Sequence, residues 1–203
     1  LHSDPLSTLS ALPREHTMTT HILSICGSLR TGSYNAALMR ALPELAPTDM
    51  KLTEAPSYSA LPMYNADLQD RSGFPAAAVA LADAIRTADG VIIITPEYNW
   101  SIPGALKNAI DWLSKIDQQP FAEKPVAIQS ASAGPLGGSR MQYHLRMILT
   151  SLKAQVFGTP EIFVGLAHTK FDEESLDLVD AGTRHIVGLQ LAAFEKFVVR
   201  TKG

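Results

Sequence analysis

The sequence predicts an α/β fold in which one five-stranded parallel sheet carries helices on both faces. Short apolar runs alternate along the chain with longer segments whose apolar residues recur at helical spacing, which is the pattern of βαβ units. One run, GVIIIT at residues 90–95, is apolar on both faces, as a central parallel strand covered by helices requires. With 203 residues, 46% of them hydrophobic, the chain can bury one sizeable core.

The first strand and the first helix are closely spaced. The run ILSIC, residues 22–26, is short, contains β-branched residues and ends at a glycine, so it predicts a buried strand. Apolar residues then recur at helical spacing over residues 37–45, which predicts a helix. Ser33 or Asn35 can cap the start of this helix by accepting a backbone amide hydrogen bond.

The remaining elements follow the same alternation. Before the central strand we expect a short strand at residues 50–54, a proline-rich loop at residues 55–69 and a helix at residues 74–87. After it we expect a helix over residues 102–113, a strand at 125–130, a helix that includes 141–149, a fifth strand at 155–164 and a long closing helix at 172–199.

Charge and cysteine content limit the classes of partner. The formal net charge is -3 and no block of like charges occurs, so we expect neither nucleic acid nor a membrane as a partner. No apolar run approaches the roughly 20 residues of a membrane-spanning helix. The single cysteine, Cys26, excludes an internal disulfide and is interpreted as a small buried apolar residue. A single cysteine fits a reducing compartment, so we expect a cytoplasmic protein. We also expect its partner to be a small molecule.

The first 17 residues differ from the rest of the chain. They are polar, contain two prolines and lack the continuous apolar segment of a secretory signal. We expect residues 1–17 to be a disordered N-terminal extension. Met18 precedes the first strand so closely that it is the expected natural start, and one domain is expected to span residues 18–203.

The loop between the first strand and the first helix has the composition of an anion site. GSLRTGS, residues 27–33, places two glycines, two serines and Arg30 at a helix start, where loose amides, the helix dipole and a cation converge. A Walker A motif is excluded because Ser33 and Tyr34 stand where Lys and Ser/Thr are needed, and the G-x-G-x-x-G pattern is absent. Two interpretations remain, a site for a terminal phosphate such as that of flavin mononucleotide (FMN) and an ordinary strand-to-helix turn.

A second candidate loop, PEYNW at residues 96–100, follows the carboxyl end of the central strand. Because ligands of open α/β sheets bind outside this edge, the loop is expected to face the same crevice as residues 27–33. Its backbone can bond a planar heterocycle while Tyr98 or Trp100 covers apolar ring surface. Glu97 has two interpretations, a catalytic carboxylate or a group that holds the loop or an adjoining subunit through hydrogen bonds.

A third candidate loop, SAGPLGG at residues 132–138, lies between a predicted strand and a predicted helix. Its three glycines allow the backbone to approach a ligand closely. The amides of the loop and of the next helix start can stabilise negative charge on a pyrimidine-like ring edge. The sequence offers no persuasive acid–base pair, nucleophile dyad or metal-ligand cluster, so we predict neither a catalytic side chain nor a metal site.

Together these stretches resemble the NAD(P)H-dependent FMN reductases of flavodoxin-like fold, especially their quinone and chromate reductase branch. The resemblance covers nearly all of residues 20–165 and is carried, in the expected order and spacing, by GSLRTGSYN, LPMYNADL, PEYNWSIPGALKNAIDWLS and SAGPLGGSRMQYHLR. It implies a three-layer αβα sandwich with strand order 2-1-3-4-5. It also implies an FMN site in which the phosphate contacts Ser28, Arg30, Ser33 and Asn35, and Tyr34 is a further cofactor-binding residue. The ribityl and isoalloxazine region contacts Pro96, Glu97, Tyr98 and Asn99, and the other ring edge contacts Ser132, Gly134 and Gly137.

The mechanism implied by the resemblance is hydride transfer from NADPH or NADH to flavin N5, followed by reduction of an acceptor on the same exposed flavin face in ping-pong turnover. Proteins that resemble this one reduce quinones, chromate, ferric chelates, azo dyes and free flavins. The alternative function is a flavodoxin-type electron carrier that binds FMN without oxidising NAD(P)H. Such carriers are usually more acidic than this chain.

The resemblance also implies a homodimer or a homotetramer. In the chromate reductase branch, residues that match Arg140, Tyr143 and Glu161 look like subunit contacts, so we expect these three at an interface. Binding the phosphate of a nicotinamide cofactor is the alternative interpretation of Arg140.

Overall fold

The computed structural model describes residues 19–202. Within them, the strands form one parallel sheet with the order β2-β1-β3-β4-β5, which confirms the predicted order. The strands are β1 Thr20–Cys26, β2 Met50–Glu54, β3 Gly90–Ile94, β4 Pro125–Ala131, β5 Gln155–Val156 and β6 Ile162–Val164. The disorder predicted for residues 1–17 lies outside the described part of the chain.

The fifth strand is interrupted, so the prediction of one continuous strand at residues 155–164 is wrong. β5 pairs with the beginning of β4, and β6 pairs with the end of β4. The Phe157 amide still donates to the Val126 carbonyl at 2.8 Å. The ladder then stops near Pro160, which has no N–H to donate. Both segments lie at the same edge of the sheet, and the topology is unchanged.

Helices cover both faces of the sheet. They are α1 Tyr34–Leu45, α2 Ala66–Ser72, α3 Ala76–Thr87, α4 Gly104–Leu113, α5 Ser139–Ser151 and α6 Ala181–Lys202, with a 3-10 turn at Ala167–Thr169. Residues of β3 alternate between the two layers: Ile92 and Ile94 pack with α1 and α6, whereas Val91 and Ile93 pack with α3, α4 and α5. The predicted three-layer sandwich is therefore confirmed. No helix within residues 19–202 is long and apolar enough to cross a membrane.

The segment at residues 55–69, predicted to be a loop throughout, contains the start of the short helix α2. Asn65 caps this helix because its side-chain oxygen accepts from the Asp67 amide at 2.8 Å. The preceding residues are anchored to α4, where Asn108 and Trp112 both donate to the Pro62 carbonyl, at 2.9 Å and 2.8 Å. The loop therefore lies against α4 in one fixed path.

The closing helix begins at Ala181, nine residues later than predicted. Asp172 does not start it, because its carboxylate accepts from the Glu174 and Ser175 amides and closes a local turn instead. Asp180 supplies the cap, since its carboxylate accepts from the Thr183 amide at 2.8 Å. The Thr183 hydroxyl also donates to this carboxylate, and the hydrogen bonds from the Thr183 hydroxyl and amide lower the pKa of Asp180.

Candidate functional site

The three candidate loops leave the same edge of the sheet. β1, β3 and β4 are parallel neighbours, so the segments that follow them, loop 27–33, loop 96–101 and loop 132–138, meet at the carboxyl ends of the strands. Their first residues continue the strand ladder: the Gly27 amide donates to Ile94 at 2.8 Å and the Thr95 amide donates to Gln129 at 3.0 Å. The expectation that the loop after β3 lies at the same end of the sheet as loop 27–33 is confirmed, and loop 132–138 lies there as well.

Loop 27–33 begins at a very close contact between two strands. A Cβ atom on Gly27 would lie 2.0 Å from the Thr95 hydroxyl oxygen, so only glycine fits there without movement of Thr95. Farther along, Arg30 is exposed and its guanidinium donates to the Gly32 carbonyl. The Arg30 amide lies 3.4 Å from the Ser28 hydroxyl oxygen. The side chains of Ser28 and Arg30 therefore both contact the backbone of this short loop.

The start of α1 joins this loop to the third loop. The Ser33 hydroxyl caps the helix by accepting from the Asn35 and Ala36 amides at 3.2 Å and 3.4 Å. The buried Asn35 amide group forms two 2.9 Å hydrogen bonds with the backbone of Ala131 at the end of β4. Both ends of the Asn35 amide are thus used within the chain. Tyr34 lies beside Phe171, with ring centroids 5.3 Å apart.

Loop 96–101 forms a two-residue hairpin turn. The Tyr98 amide donates to Ser101 at 2.9 Å and the Ser101 amide donates back at 3.0 Å. Asn99 and Trp100 at the tip have positive φ angles of 50° and 67°, as a tight hairpin of this type requires. Such a conformation is unusual for tryptophan. The turn holds Tyr98 and Trp100 exposed at the edge of the site, with 67% of Trp100 accessible.

The Glu97 side chain connects loop 96–101 to the start of α5. The side chain is 7% exposed, and its carboxylate forms an ion pair with Arg140 and accepts from the Met141 amide at 3.3 Å. The Arg140 guanidinium in turn lies 4.7 Å from the centre of the Trp100 ring. These contacts within the chain favour the structural interpretation of Glu97. Pro96, beside it, is buried.

Loop 132–138 is folded tightly on itself and on β6. The Ser132 hydroxyl accepts from the Gly134 amide at 3.0 Å. Gly134 is exposed, whereas Gly137 is buried with a φ angle of 58°. A Cβ atom on Gly137 would lie 2.6 Å from the carbonyl carbon of Phe163. Gly134 is therefore accessible to a ligand, and Gly137 allows the loop to lie against β6.

The Cys26 thiol and the Tyr58 hydroxyl lie near the site, and neither favours its ionised form. Cys26 is partly buried, not fully buried as expected, and Tyr58 is buried. Burial raises the pKa of the Cys26 thiol, which disfavours the thiolate. Burial also raises the pKa of Tyr58, whose hydroxyl donates to the Cys26 carbonyl at 2.6 Å. Tyr58 thereby ties the segment after β2 to the end of β1.

Comparison with known proteins identifies the family. A family model described as NADPH-dependent FMN reductase matches residues 20–169. The chain belongs to this family. Quinone reductase of Escherichia coli (strain K12) is 50% identical over 182 residues, which cover 89% of this chain and 96% of that protein. The NAD(P)H-dependent FMN reductase of Pseudomonas aeruginosa is 42% identical over 182 residues, covering 90% of this chain and 97% of that protein.

A solved structure agrees with this assignment. FerB from Paracoccus denitrificans, a flavoenzyme NAD(P)H:(acceptor) oxidoreductase, matches with a TM-score of 0.80 and 30% identity, covering 90% of this chain and 98% of that chain. The family member described here is therefore an oxidoreductase of flavodoxin-like fold that uses FMN and NAD(P)H.

The chemistry of loop 27–33 fits the phosphate of FMN. The hydroxyls of Ser28 and Thr31 and the guanidinium of Arg30 lie within one seven-residue segment that ends at the start of the 12-residue helix α1. Hydroxyl groups, a cation and the positive end of a helix dipole all favour a phosphate dianion. This donor set favours the phosphate-site interpretation of loop 27–33 over an ordinary strand-to-helix turn.

Sequence reasoning missed two buried polar residues beneath loop 132–138, Ser130 and Gln142. Both are fully buried, and they are hydrogen-bonded to each other at 2.7 Å. A signal was present in the pattern, since Gln142 lies beside buried Met141 on the apolar face of a helix, where a polar residue needs a hydrogen-bond partner.

Proposed function

We propose that this chain reduces quinones with electrons from NAD(P)H through an FMN held at the carboxyl edge of its sheet. The observation that carries the proposal is the convergence of loop 27–33, with its phosphate-type donors, and two further loops at one exposed edge. The 50% identical relative from Escherichia coli is named quinone reductase, which supports the choice of acceptor.

In this proposal the chain's own residues bind and orient the cofactor. Ser28, Arg30, Ser33 and the start of α1 hold the phosphate, and Asn35 fixes that helix start to β4. The backbone of residues 96–99 and the accessible part of loop 132–138 flank the isoalloxazine. When bound, FMN supplies the hydride chemistry. The protein supplies amide dipoles that stabilise negative charge, and no side chain is required as a general base.

The accessibility of the site determines which acceptors are reduced. Tyr98 and Trp100 are exposed at its edge, so a planar aromatic acceptor can lie against them. Chromate, being small, is a second proposed acceptor at the same site. We further propose that the reaction takes place in the cytoplasm, which fits a chain with a single cysteine.

The first experiment follows FMN absorbance in the full chain. The purified protein is incubated with FMN, desalted and mixed without oxygen with NADPH and, separately, with NADH. Retained flavin that bleaches and is reoxidised by a quinone supports the proposal, and the two bleaching rates rank the donors. Retained flavin that stays yellow favours the electron carrier, and parallel double-reciprocal plots with quinone would support ping-pong turnover. Chromate is tested in the same assay.

The phosphate site is tested by Arg30→Ala. We expect the Kd for FMN to rise about tenfold, because the variant removes a charge-assisted contact worth about 1.4 kcal/mol, while the melting temperature of the protein without FMN stays the same. The matched control is Arg200→Ala, which removes an exposed arginine near the end of α6. Equal FMN affinity in wild type and Arg30→Ala would locate the phosphate elsewhere.

We also propose a homodimer or homotetramer that covers the outer face of α5. Tyr143 and Met147 are one turn apart on this helix and are 53% and 66% exposed. Glu161 lies beside them, 3.4 Å from the Tyr143 hydroxyl and 3.1 Å from the Arg146 guanidinium. An exposed apolar pair next to a cluster of charges is typical of a subunit interface.

Light scattering of the eluting protein tests the assembly. Wild type is expected to elute as a dimer or a tetramer, and Met147→Glu is expected to shift it to a smaller species, because a carboxylate would be buried without a partner. Val199→Glu, at another exposed helical position, is the control. A monomeric wild type would overturn this part of the proposal.

A further inference from the structure

A buried chain of hydrogen bonds runs beneath loop 132–138. Ser130, near the end of β4, donates from its hydroxyl to the Gly137 carbonyl at 2.5 Å. Gln142, in the first turn of α5, donates from its side chain to the Ser130 hydroxyl at 2.7 Å and to the Ile162 carbonyl of β6 at 2.8 Å. Both Ser130 and Gln142 are 0% exposed. The inner side of the loop is thus bonded to two strands and a helix.

The same region is sterically tight. A Cβ atom on Gly138 would lie 2.9 Å from the Ser130 hydroxyl oxygen, and one on Gly137 would lie 2.6 Å from the Phe163 carbonyl carbon. The loop backbone therefore lies directly on Ser130 and β6, with no space between them. A displacement of Ser130 or Gln142 would therefore shift the loop, because closely packed atoms leave no space for them to move independently.

The hydrogen bond to the Gly137 carbonyl also sets the direction of the next amide. In a trans peptide the C=O and the N–H point in opposite directions, so the Gly138 N–H is directed away from Ser130. Gly138 is the N-cap residue of α5, at the positive end of the helix dipole. An amide fixed in this direction can stabilise negative charge on a group at the carboxyl edge.

The glutamine is costly to bury, which indicates that it serves the loop. Gln142 Oε1 has no hydrogen-bond partner among residues 19–202. A buried acceptor without a partner destabilises the fold, and an apolar side chain of the same length would avoid that cost. What an apolar side chain cannot provide is the pair of hydrogen bonds that joins Ser130, and through it the Gly137 carbonyl, to β6.

We propose that Gln142 and Ser130 are positioning residues of the FMN site. They hold loop 132–138 in the conformation that stabilises the negative charge of reduced FMN, and they do so from beneath the loop without contacting the cofactor. This inference rests on the proposed function, because it places the isoalloxazine beside this loop.

The test compares Gln142→Met with Gln190→Met. Gln190 is also a buried helical glutamine bonded to β4: it accepts from the Gln129 side chain at 2.8 Å and donates to the Pro160 carbonyl at 2.7 Å. It makes no hydrogen bond to loop 132–138 within the described residues. Both variants lose buried hydrogen bonds, so both are expected to melt at a lower temperature, which controls for a general loss of stability.

Two measurements then separate the variants. In the protein without FMN, amide hydrogen exchange in residues 134–139 should become about fivefold faster in Gln142→Met and remain unchanged in Gln190→Met. In the FMN-loaded protein, Gln142→Met should raise the Kd about fivefold and make the midpoint potential of the flavin more negative, because the oriented amide is lost. Equal changes in both variants, or no change in Gln142→Met, would overturn the proposal.

A second variant covers the case in which Gln142→Met does not fold. Ser130→Ala removes only one hydroxyl and breaks the same chain of hydrogen bonds, so the same changes are expected. The two proposals can also fail separately. A wild-type protein that retains no FMN would overturn the proposed function, while hydrogen exchange without FMN would still decide whether Gln142 fixes the loop.

Discussion

The amino-terminal and carboxyl ends of the strands form two opposite edges of the parallel sheet, and these two edges are built in different ways. At the amino-terminal edge, charged side chains are paired within the chain: the Asp89 carboxylate accepts from the His21 amide at 2.8 Å and contacts Lys202 at 2.6 Å. Lys124 donates to the carbonyls of Arg86 and Ala88, at the end of α3. Burial lowers the pKa of Lys124, yet these carbonyls satisfy its ammonium group.

At the carboxyl ends of the strands, polar groups lie on accessible loops that border open space. Asn99 and Trp100 have positive φ angles, Gly27 lies against Thr95, and Ser28 and Arg30 lie on an accessible loop. The positive φ angles alone do not distinguish the two ends, because Glu123, just before β4, also has a positive φ angle, 58°. The amino-terminal ends of the strands therefore contribute stability and the carboxyl ends carry the candidate site, although the same strands support both.

The largest effect on stability is expected from adding a Cβ atom at the close contact between Gly27 and Thr95. Gly27→Ala would place a Cβ atom 2.0 Å from the hydroxyl oxygen of buried, β-branched Thr95. We expect a loss of about 2–3 kcal/mol in the free energy of unfolding and a weaker FMN complex, since Thr95 cannot rotate away freely. Urea denaturation of the protein without FMN measures the first effect, and an FMN titration measures the second.

Gly32→Ala is the matched control in the same loop. A Cβ atom on Gly32 meets no atom within 4 Å. Its unfolding free energy should therefore stay within about 0.5 kcal/mol of wild type. If both variants were equally stable, the close contact at Gly27 would not be a constraint, and the two edges would differ less than we infer.

A smaller effect is expected from Tyr58→Phe, which keeps the buried ring and removes the hydrogen bond to the Cys26 carbonyl. We expect a loss of about 1 kcal/mol in the free energy of unfolding, because the carbonyl loses a buried partner. FMN affinity should change little, since Tyr58 bonds to the end of β1 and is not one of the residues proposed to bind FMN. Denaturant melts with and without FMN measure both quantities.

Tyr64→Phe serves as the control for Tyr58→Phe, because the Tyr64 hydroxyl makes no hydrogen bond within residues 19–202. It should leave the unfolding free energy within about 0.5 kcal/mol of wild type. A large fall in FMN affinity for Tyr58→Phe would mean that Tyr58 belongs to the site and not only to its support.

Most of the strands and the loop positions could be predicted, because apolar periodicity and turn residues are local signals. The strand order was implied by the resemblance to the FMN reductases and not by these local signals. The start of α6 could not be predicted in this way. An apolar pattern does not indicate that Asp172 closes a turn while Asp180 caps the helix. Pro160 was visible in the sequence, yet its effect on the fifth strand depends on where that strand pairs with β4.

The candidate site shows the same division. The three loops were predicted from their composition, whereas the partners of Glu97, Asn35 and Gln142 were not. Each of these side chains reaches a residue on another strand or helix, and Asn35 contacts Ala131, 96 positions away. Such contacts are set by tertiary packing, which one sequence does not reveal. Sequence therefore predicts which loops lie at the candidate site better than it predicts what holds them in place.

The smallest effect on stability is expected at the amino-terminal edge. There, Asp89→Asn removes a charge but keeps an acceptor for the His21 amide. Burial opposes ionisation of Asp89, but the Lys202 and His21 hydrogen bonds outweigh it and lower the pKa of the carboxyl group. Because the folded state favours the ionised form, Asp89 contributes stability near neutral pH that is lost as pH falls through the lowered pKa.

Asp89→Asn should therefore be less stable than wild type by less than about 1 kcal/mol at pH 7, and the difference should shrink below about pH 4. Denaturant melts over this pH range measure it, with Asp83→Asn, at a more exposed ion pair with Arg86, as the control. FMN affinity should be unchanged, since the substitution lies at the opposite edge from loop 27–33. A difference that grew on acidification, or a weaker FMN complex, would show that the two edges are coupled through the strands they share.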